Sequence, residues 1–467
     1  MGMLKIPRSA RYRKRVGMFG RVDAKHDQST LDFNTAATCY NFDTASGALR
    51  AGYGVAAHKY VPENARRYWV YRYYSESEGR YVDQYVFQLA NGLLRYFDEL
   101  LGKPYYISGQ QFPPVQALNY RLNSKDVLLI SCEGRKLIAW NGTVLKEFEG
   151  SPVISSMALH YERLFVTSRD EPTKVFFSEN LDPTNWEIGA DGGGFIELLD
   201  ERGEMNKVVS FGTYLYIFRD HGISRITAYG DQREFTAVNL FVTAGRIYPS
   251  SIAKCGANMM FAASDGLYVF DGYDCRRVLG NLDGLIVPDD NCASAFFNGK
   301  YYLACKMDFK DAAAIGCESA EHTVNGLLVY DGATGEYAIS RGLDLSFMNA
   351  CTFMGEDMLV CCDGGTGGVI TRCGGRFDEA LPKRWQSPET DFAAPDKTKV
   401  LREIYVKPSV NCEIALSSGN KEKRVAVRAG DRRVRVNFSA KRFSLAVDCD
   451  SRDCDIPAPT LVYGSYG

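Results

Sequence analysis

The chain has 467 residues and a formal net charge of −2. That length exceeds what one hydrophobic core ordinarily supports, so several domains or a repeat are required. The near-neutral charge argues against a whole-molecule attraction to nucleic acid or anionic lipid, and no apolar run approaches the ~20 residues that cross a bilayer. Tyr (28), Phe (26) and Gly (44) are abundant, which suits pleated surfaces joined by tight turns. The 14 Cys are scattered without a Cys-x-x-Cys pair and only five His accompany them, so no metal site and no cofactor is expected. The Cys are read as reduced, buried small hydrophobes, with Cys361-Cys362 and Cys449/Cys454 as the open cases.

Residues 1–35 read as a basic arm. Lys5, Arg8, Arg11, Arg13, Lys14, Arg15, Arg21 and Lys25 crowd it with few acidic neighbours, and no apolar segment of secretory type follows. Leu4, Ile6, Val16, Met18 and Phe19 follow no helix or strand period. Residues 1–25 are expected to be poorly ordered alone and to order against a neighbouring subunit or an adaptor ring. Arg11, Arg13, Lys14 and Arg15 would meet carboxylates there, with Met18 and Phe19 anchored in an apolar groove.

Residues 36–390 carry a repeat. A turn precedes a short apolar and aromatic strand, which ends on Asp-Gly or Asn-Gly. The clearest copies are Lys136-Leu-Ile-Ala-Trp-Asn-Gly142, Gly266-Leu-Tyr-Val-Phe-Asp-Gly272 and Gly326-Leu-Leu-Val-Tyr-Asp-Gly332. Each follows another short strand, such as Val127–Ser131, Met259–Ala263 or Lys300–Cys305. The units start near residues 66, 113, 154, 206, 248, 292 and 345, roughly 41–53 residues apart, which is the period of propeller blades. The expected fold is all-β, a β-propeller of six or seven blades followed by a small C-terminal β-sandwich-like module. Residues 308–321 are read as a loop inserted within one blade. Ser387–Pro395 reads as a linker, and residues 391–467 alternate strongly as the module. Lys421, Lys423, Arg424, Arg428, Arg432, Arg433, Arg435, Lys441 and Arg442 form a second basic group there.

No catalytic set emerges. Gly-x-Ser-x-Gly, phosphate-loop and His-Glu-x-x-His patterns are absent. Asp191, Glu197, Asp200 and Asp220 supply carboxylates that sequence cannot pair across a cleft. Ser178–Trp186 only partly matches the Asp-box of sialidases, and it occurs once. Asp191-Gly-Gly-Gly194 reads as an inter-strand loop, and His221 as a solvent-facing turn residue.

Three segments carry a resemblance. They are Asn41-Phe-Asp-Thr-Ala-Ser-Gly-Ala-Leu-Arg-Ala-Gly-Tyr-Gly54, Val175-Phe-Phe-Ser-Glu-Asn-Leu-Asp-Pro-Thr-Asn-Trp186 and Gly212–Arg225. With the order of propeller and terminal β module, the chain resembles the propeller tail proteins of short-tailed bacteriophages, the hub or nozzle below the portal and adaptor rings. The resemblance implies a structural virion protein without enzymatic activity. It implies a homohexameric ring around a DNA channel, with contacts to the head-to-tail adaptor or portal and to tail fibres. DNA would pass without sequence-specific binding, and the chain would insert in no membrane. Made in the host cytoplasm, it would reside in the virion tail. The alternative is a glycan-binding or degraded sialidase-like propeller at a host-surface contact. An intracellular scaffold of the WD or kelch type lacks its blade signature here.

Overall fold

The computed structural model describes residues 11–98, 103–189, 192–309, 323–373 and 379–466. The insertion expected at 308–321 lies, from residue 310 on, outside these. The described chain is all-β, and its helical elements are four three-residue 3-10 turns.

From Ala65 onward the strands form four-stranded antiparallel meanders in chain succession. The first sheet runs Ala65–Ser75, Arg80–Leu89, Leu93–Asp98 and Tyr105–Gln111. The second opens with Val115–Leu122, the third with Ser156–His160, the fourth with Met205–Phe211 and the fifth with Ala253–Cys255. The sixth is built on Ala293–Phe297 and Lys300–Asp308 and carries one extra short strand, Ile286–Val287. The seventh opens with Phe347–Phe353. These openings fall within a few residues of the unit starts read from the sequence. The succession is consistent with a β-propeller.

The seventh sheet supplies only three consecutive strands. Its fourth is Tyr53–Ala56, which pairs antiparallel with Gly367–Arg372, Val55 opposite Ile370. The start of the described chain therefore completes the last sheet.

Strand alternation explains the packing. In the second sheet Leu128 and Ile130 pack toward the first sheet, while Val127 and Leu129 pack toward the third. In the seventh, Leu359 and Cys361 face the sixth, while Met358, Val360 and Cys362 face the first. The vicinal cysteines thus point to opposite faces, and every described Cys is free. Seven apolar clusters each join two neighbouring sheets, the seventh and first included, so the packing closes into a ring.

At five of the seven junctions the opening strands of neighbouring sheets touch one another, and each opening strand leaves one backbone edge unpaired in its own sheet. Side chains of the adjacent sheet reach these edges. Asn119 Nδ2 donates to Val70 O at 2.9 Å and accepts at Oδ1 from Arg72 N. Asn349 Nδ2 donates to Tyr68 O, Gln116 Nε2 to Ser155 O and Ser294 Oγ to Ser250 O. Ser156 Oγ accepts from Val208 N, and Lys207 Nζ donates to Pro249 O and Ile252 O. Six of the seven junctions are bridged in this way.

The Asn-Gly and Asp-Gly pairs shape their turns with side chain and glycine together. Asn141 Oδ1 accepts from Thr143 N and Val144 N, and Asp271 Oδ1 from Tyr273 N and Asp274 N. These side chains template the turn themselves, and Gly142 and Gly272 then take positive φ.

Two sheets draw strands from across the ranges 1–35, 36–390 and 391–467. A four-stranded sheet combines Arg11–Arg15, Thr460–Tyr466, Thr398–Tyr405 and Val434–Ala440. A five-stranded sheet combines Thr38–Tyr40, Lys383–Gln386, Ser444–Cys449, Cys412–Ser418 and Lys421–Val427. This two-sheet unit is made from both ends of the chain. Its core, with Trp385, Ile404, Leu416, Phe438 and Leu461, is continuous with the junction of the fifth and sixth sheets. The segment read as a linker is pinned to it. Ser387 N donates to Leu445 O, Ser387 Oγ accepts from Leu445 N, and Thr390 bridges Phe443.

One ion pair ties the third sheet to the fourth. Arg219, almost fully buried, places Nη1 2.8 Å from both oxygens of Asp200 and donates to Gly203 O. Burial alone would raise the Asp200 pKa. Hydrogen bonds from Arg202 N, Arg219 and Asn239 outweigh it and hold the carboxyl down at about 2. Its folded pKa therefore lies below the unfolded value near ~3.9. The stabilisation is complete above that value and is lost as pH falls toward about 2. Melting measured from pH 6 to pH 2 should fall more steeply for the wild type than for Asp200→Asn. Parallel curves would refute this. In the closing strand, Val55→Asp should cost about 3 kcal/mol or more, because it buries an unpaired carboxylate. Val144→Asp, at an exposed site, should be near neutral, both variants being read by urea denaturation.

Candidate functional site

The strand Arg11–Arg15 is an outer strand of the four-stranded sheet, with all five residues exposed. Its register sets Arg11 opposite Gly464, Arg13 opposite Val462 and Arg15 opposite Thr460. Alternation puts Arg11, Arg13 and Arg15 on one face, with Tyr12 and Lys14 on the other. Tyr12 stacks on Tyr463 with ring centroids 5.5 Å apart. Val462 is opposite Glu403, and Glu403 is opposite Arg435 in the next strand. The row Arg13, Val462, Glu403, Arg435 therefore crosses the sheet on one face.

Glu403 is the acid at the centre of this face. Arg433 Nη2 hydrogen-bonds it, and with Tyr405 Oη and the charge of Arg11 this lowers its pKa. Among the described residues, Arg13, Lys14, Arg15 and Arg435 have no ion-pair partner. Two basic groups far apart in sequence thus become one cationic face, which separate reading of the two segments missed. The signal was present as alternation in Arg11-Tyr-Arg-Lys-Arg15 and in Arg433-Val-Arg-Val436.

The sequence expectation paired Met18 with Phe19 as anchors and left residues 1–25 to order on a partner. The structure separates the two. Met18 is 60% exposed, whereas Phe19 is 1% exposed and meets Trp385 edge-on at 4.7 Å. Val16 and Val22 are buried in the same core. Residues 11–25 pack against the chain's own two-sheet unit, because burial of Val16, Phe19 and Val22, three residues apart, supplies the apolar area that composition alone did not reveal. Residues 1–10 lie outside the described residues.

A second site was not foreseen. A cavity of about 660 Å³ is lined by Gln116, Ser155, Lys207, Asp220, Arg246 and Asp290, among others from the second to the sixth sheets. It opens where the first strands of those sheets begin, at one mouth of the ring. Arg246 pairs with Asp290 at 3.0 Å. Asp220 accepts from Glu204 N and Asn206 Nδ2. Burial lowers the pKa of Lys207 to about 8, and its ammonium is held by the carbonyls of Pro249 and Ile252, just before the fifth sheet. The lining mixes both signs of charge with hydroxyls.

The catalytic candidates are occupied elsewhere. Asp200 serves Arg219, Glu197 accepts from Thr173 Oγ1, and Asp191 lies outside the described residues. His221 is half-buried against Gly245 O rather than solvent-facing. His160 is buried against Ser210 Oγ at 2.9 Å, and desolvation lowers its pKa to about 4.

No protein-family model matches the chain, and no curated protein matches it. Among solved structures, BBS1N in its complex with ARL6DN, soaked with lead, aligns at 10% identity over 70% of this chain and 96% of that one, with a TM-score of 0.42. The extracellular domain of a hybrid two-component system from B. thetaiotaomicron aligns at 11% identity over 92% of this chain and 64% of that one, with a TM-score of 0.45.

The burial difference in the N-terminal segment is directly testable. Phe19→Ala should cost about 3–5 kcal/mol and Met18→Ser within about 0.5 kcal/mol, read by urea denaturation. Equal costs would contradict the packing described.

Proposed function

We propose that the chain is a structural, ring-forming subunit of a short-tailed bacteriophage tail, the hub or nozzle that extends the DNA channel below the portal and adaptor and contacts tail fibres. In this reading it is a seven-bladed propeller closed by its N-terminal strand, with a sandwich-like module made from both chain ends. It performs no catalysis. Its neighbours are further copies of itself, the adaptor or portal, and the fibres, and it resides in the virion.

The observation that carries the reading is that the resemblance segments are architectural. Asn41, at positive φ, joins three parts of the fold. Its N–H donates to Ile339 O, its Nδ2 to Pro382 O at 2.6 Å, and its Oδ1 accepts from Arg341 N at 2.8 Å. A Cβ on Gly52 would lie 2.9 Å from Asn41 O, so the close approach requires glycine. In the second segment Ser178 Oγ accepts from Leu164 N, Asp182 Oδ1 from Thr184 N, and Trp186 Nε1 donates to Pro183 O. These side chains fold a loop.

A glycan-binding propeller is the second reading, and the polar channel-mouth cavity favours it. Sedimentation of the purified chain, alone and with an adaptor ring, separates the two. A homohexameric ring supports the first. A subunit that stays monomeric with the adaptor present and binds sugar would replace it with the second.

A further inference from the structure

The third sheet carries an unpartnered face. Its last strand, Gly194–Glu197, ends the meander at the outer side of the ring. Ile188 is 77% exposed, Leu199 74% and Phe195 40%. Ile188 bridges Gly193 just before that strand, and Leu199 lies two residues after it. Glu187, Glu197 and Glu201, all exposed, frame these apolar residues. Single exposed hydrophobics need no explanation, but several on one rim inside a charged frame mark an interaction surface.

The charge is not local to that rim. Residues 154–242, the third and fourth sheets, hold fourteen Asp and Glu against eight Lys and Arg. Residues 397–467, the bulk of the two-sheet unit, hold fourteen Lys and Arg against eight Asp and Glu. The overall charge of −2 conceals a chain with an acidic side and a basic side.

The basic side has matching chemistry. Arg11, Arg13 and Arg15 share one face of the outermost strand, and Arg13 and Arg15 lack a carboxylate partner among the described residues. The two surfaces cannot meet within one chain. The two-sheet unit shares its core with the fifth and sixth sheets, whereas the third sheet packs against the second and fourth.

We infer that the cationic strand Arg11–Arg15 of one copy docks on the acidic, apolar rim of the third sheet of the next copy. The contact joins two different surfaces of the same chain, so it repeats head to tail and generates a ring when the rotation closes. The inference rests on the ring-forming reading above and names the two faces that make the ring. Charge complementarity sets the orientation and excludes a symmetric pairing of like faces.

Charge reversal tests this on the full chain by sedimentation velocity. Arg11→Glu with Arg13→Glu and Arg15→Glu should raise the concentration for half-assembly at least about tenfold, as should Glu187→Lys with Glu197→Lys and Glu201→Lys. All six changes in one chain should restore assembly to near the wild-type concentration. All changed side chains are exposed, and unaltered melting by circular dichroism checks the fold. Ile188→Ser with Leu199→Ser, which alters no charge, should weaken assembly in the same direction and serves if a reversed variant fails to fold. A wild-type ring indifferent to both triple variants, or a combined variant that stays dissociated, overturns this interface and leaves the ring reading standing. A wild-type chain that remains monomeric at every concentration, with the adaptor ring present, overturns both.

Discussion

The unpaired inner edges of the sheets govern this fold. A four-stranded meander leaves its first strand with a row of backbone donors and acceptors that find no strand partner, and buried groups of that kind are costly when unmet. Here the adjacent sheet meets some of them with Asn119, Asn349 and Ser156, while Gln116, Ser294 and Lys207 take carbonyls just before the strands begin. Apolar clusters alone could let neighbouring sheets slide, since hydrophobic contact has no preferred direction. Hydrogen bonds from named side chains to named carbonyls fix the level at which each sheet sits. Lys207 is the extreme case. It keeps an ammonium in a desolvated position with carbonyls for partners, and that desolvation lowers its pKa.

The two-sheet unit depends on that fixed ring. Its core runs without a break into the junction of the fifth and sixth sheets, so it is positioned by packing rather than tethered by a linker. Asn41 sits at this join and satisfies both sides at once. The same arrangement presents the cationic strand rigidly. Three arginines on a strand paired along its length hold a spacing that a solvated arm would not hold, and less ordering entropy is lost when they meet carboxylates.

Much of the ring was legible in the sequence. Runs such as Val127-Leu-Leu-Ile130 are apolar on consecutive residues because both faces of each sheet are covered, and the Asp-Gly and Asn-Gly phrases mark the turns. What period-2 reading could not reveal was pairing between distant segments. Tyr53–Ala56 looks like any short strand, and nothing local says that it completes a sheet with Gly367–Arg372. Ser387–Pro395 has a linker's composition, yet its backbone is held by Leu445 and Phe443. Phe19 was recognised as an anchor but assigned to a groove on another molecule, because the core that receives it is assembled from residues around Trp385. The polar cavity lined by Lys207 was invisible for the same reason. Its lining comes from five sheets, one or a few residues from each.

The N-terminal strands also bear on the order in which the molecule can form. Arg11–Arg15 pairs with Thr460–Gly464, Thr38–Tyr40 with Arg384–Gln386, and Tyr53–Ala56 with Val369–Arg372. During synthesis the first six sheets can stack on one another as they emerge. The segment before Ala65 has to wait, its edges unsatisfied, until residues more than 300 positions later arrive. Contacts of such separation are slow to form and leave strand edges open to foreign pairing in the meantime. Charged residues on a waiting edge discourage that pairing. The run of Arg and Lys at 11–15 therefore guards the nascent chain as well as decorating the finished surface.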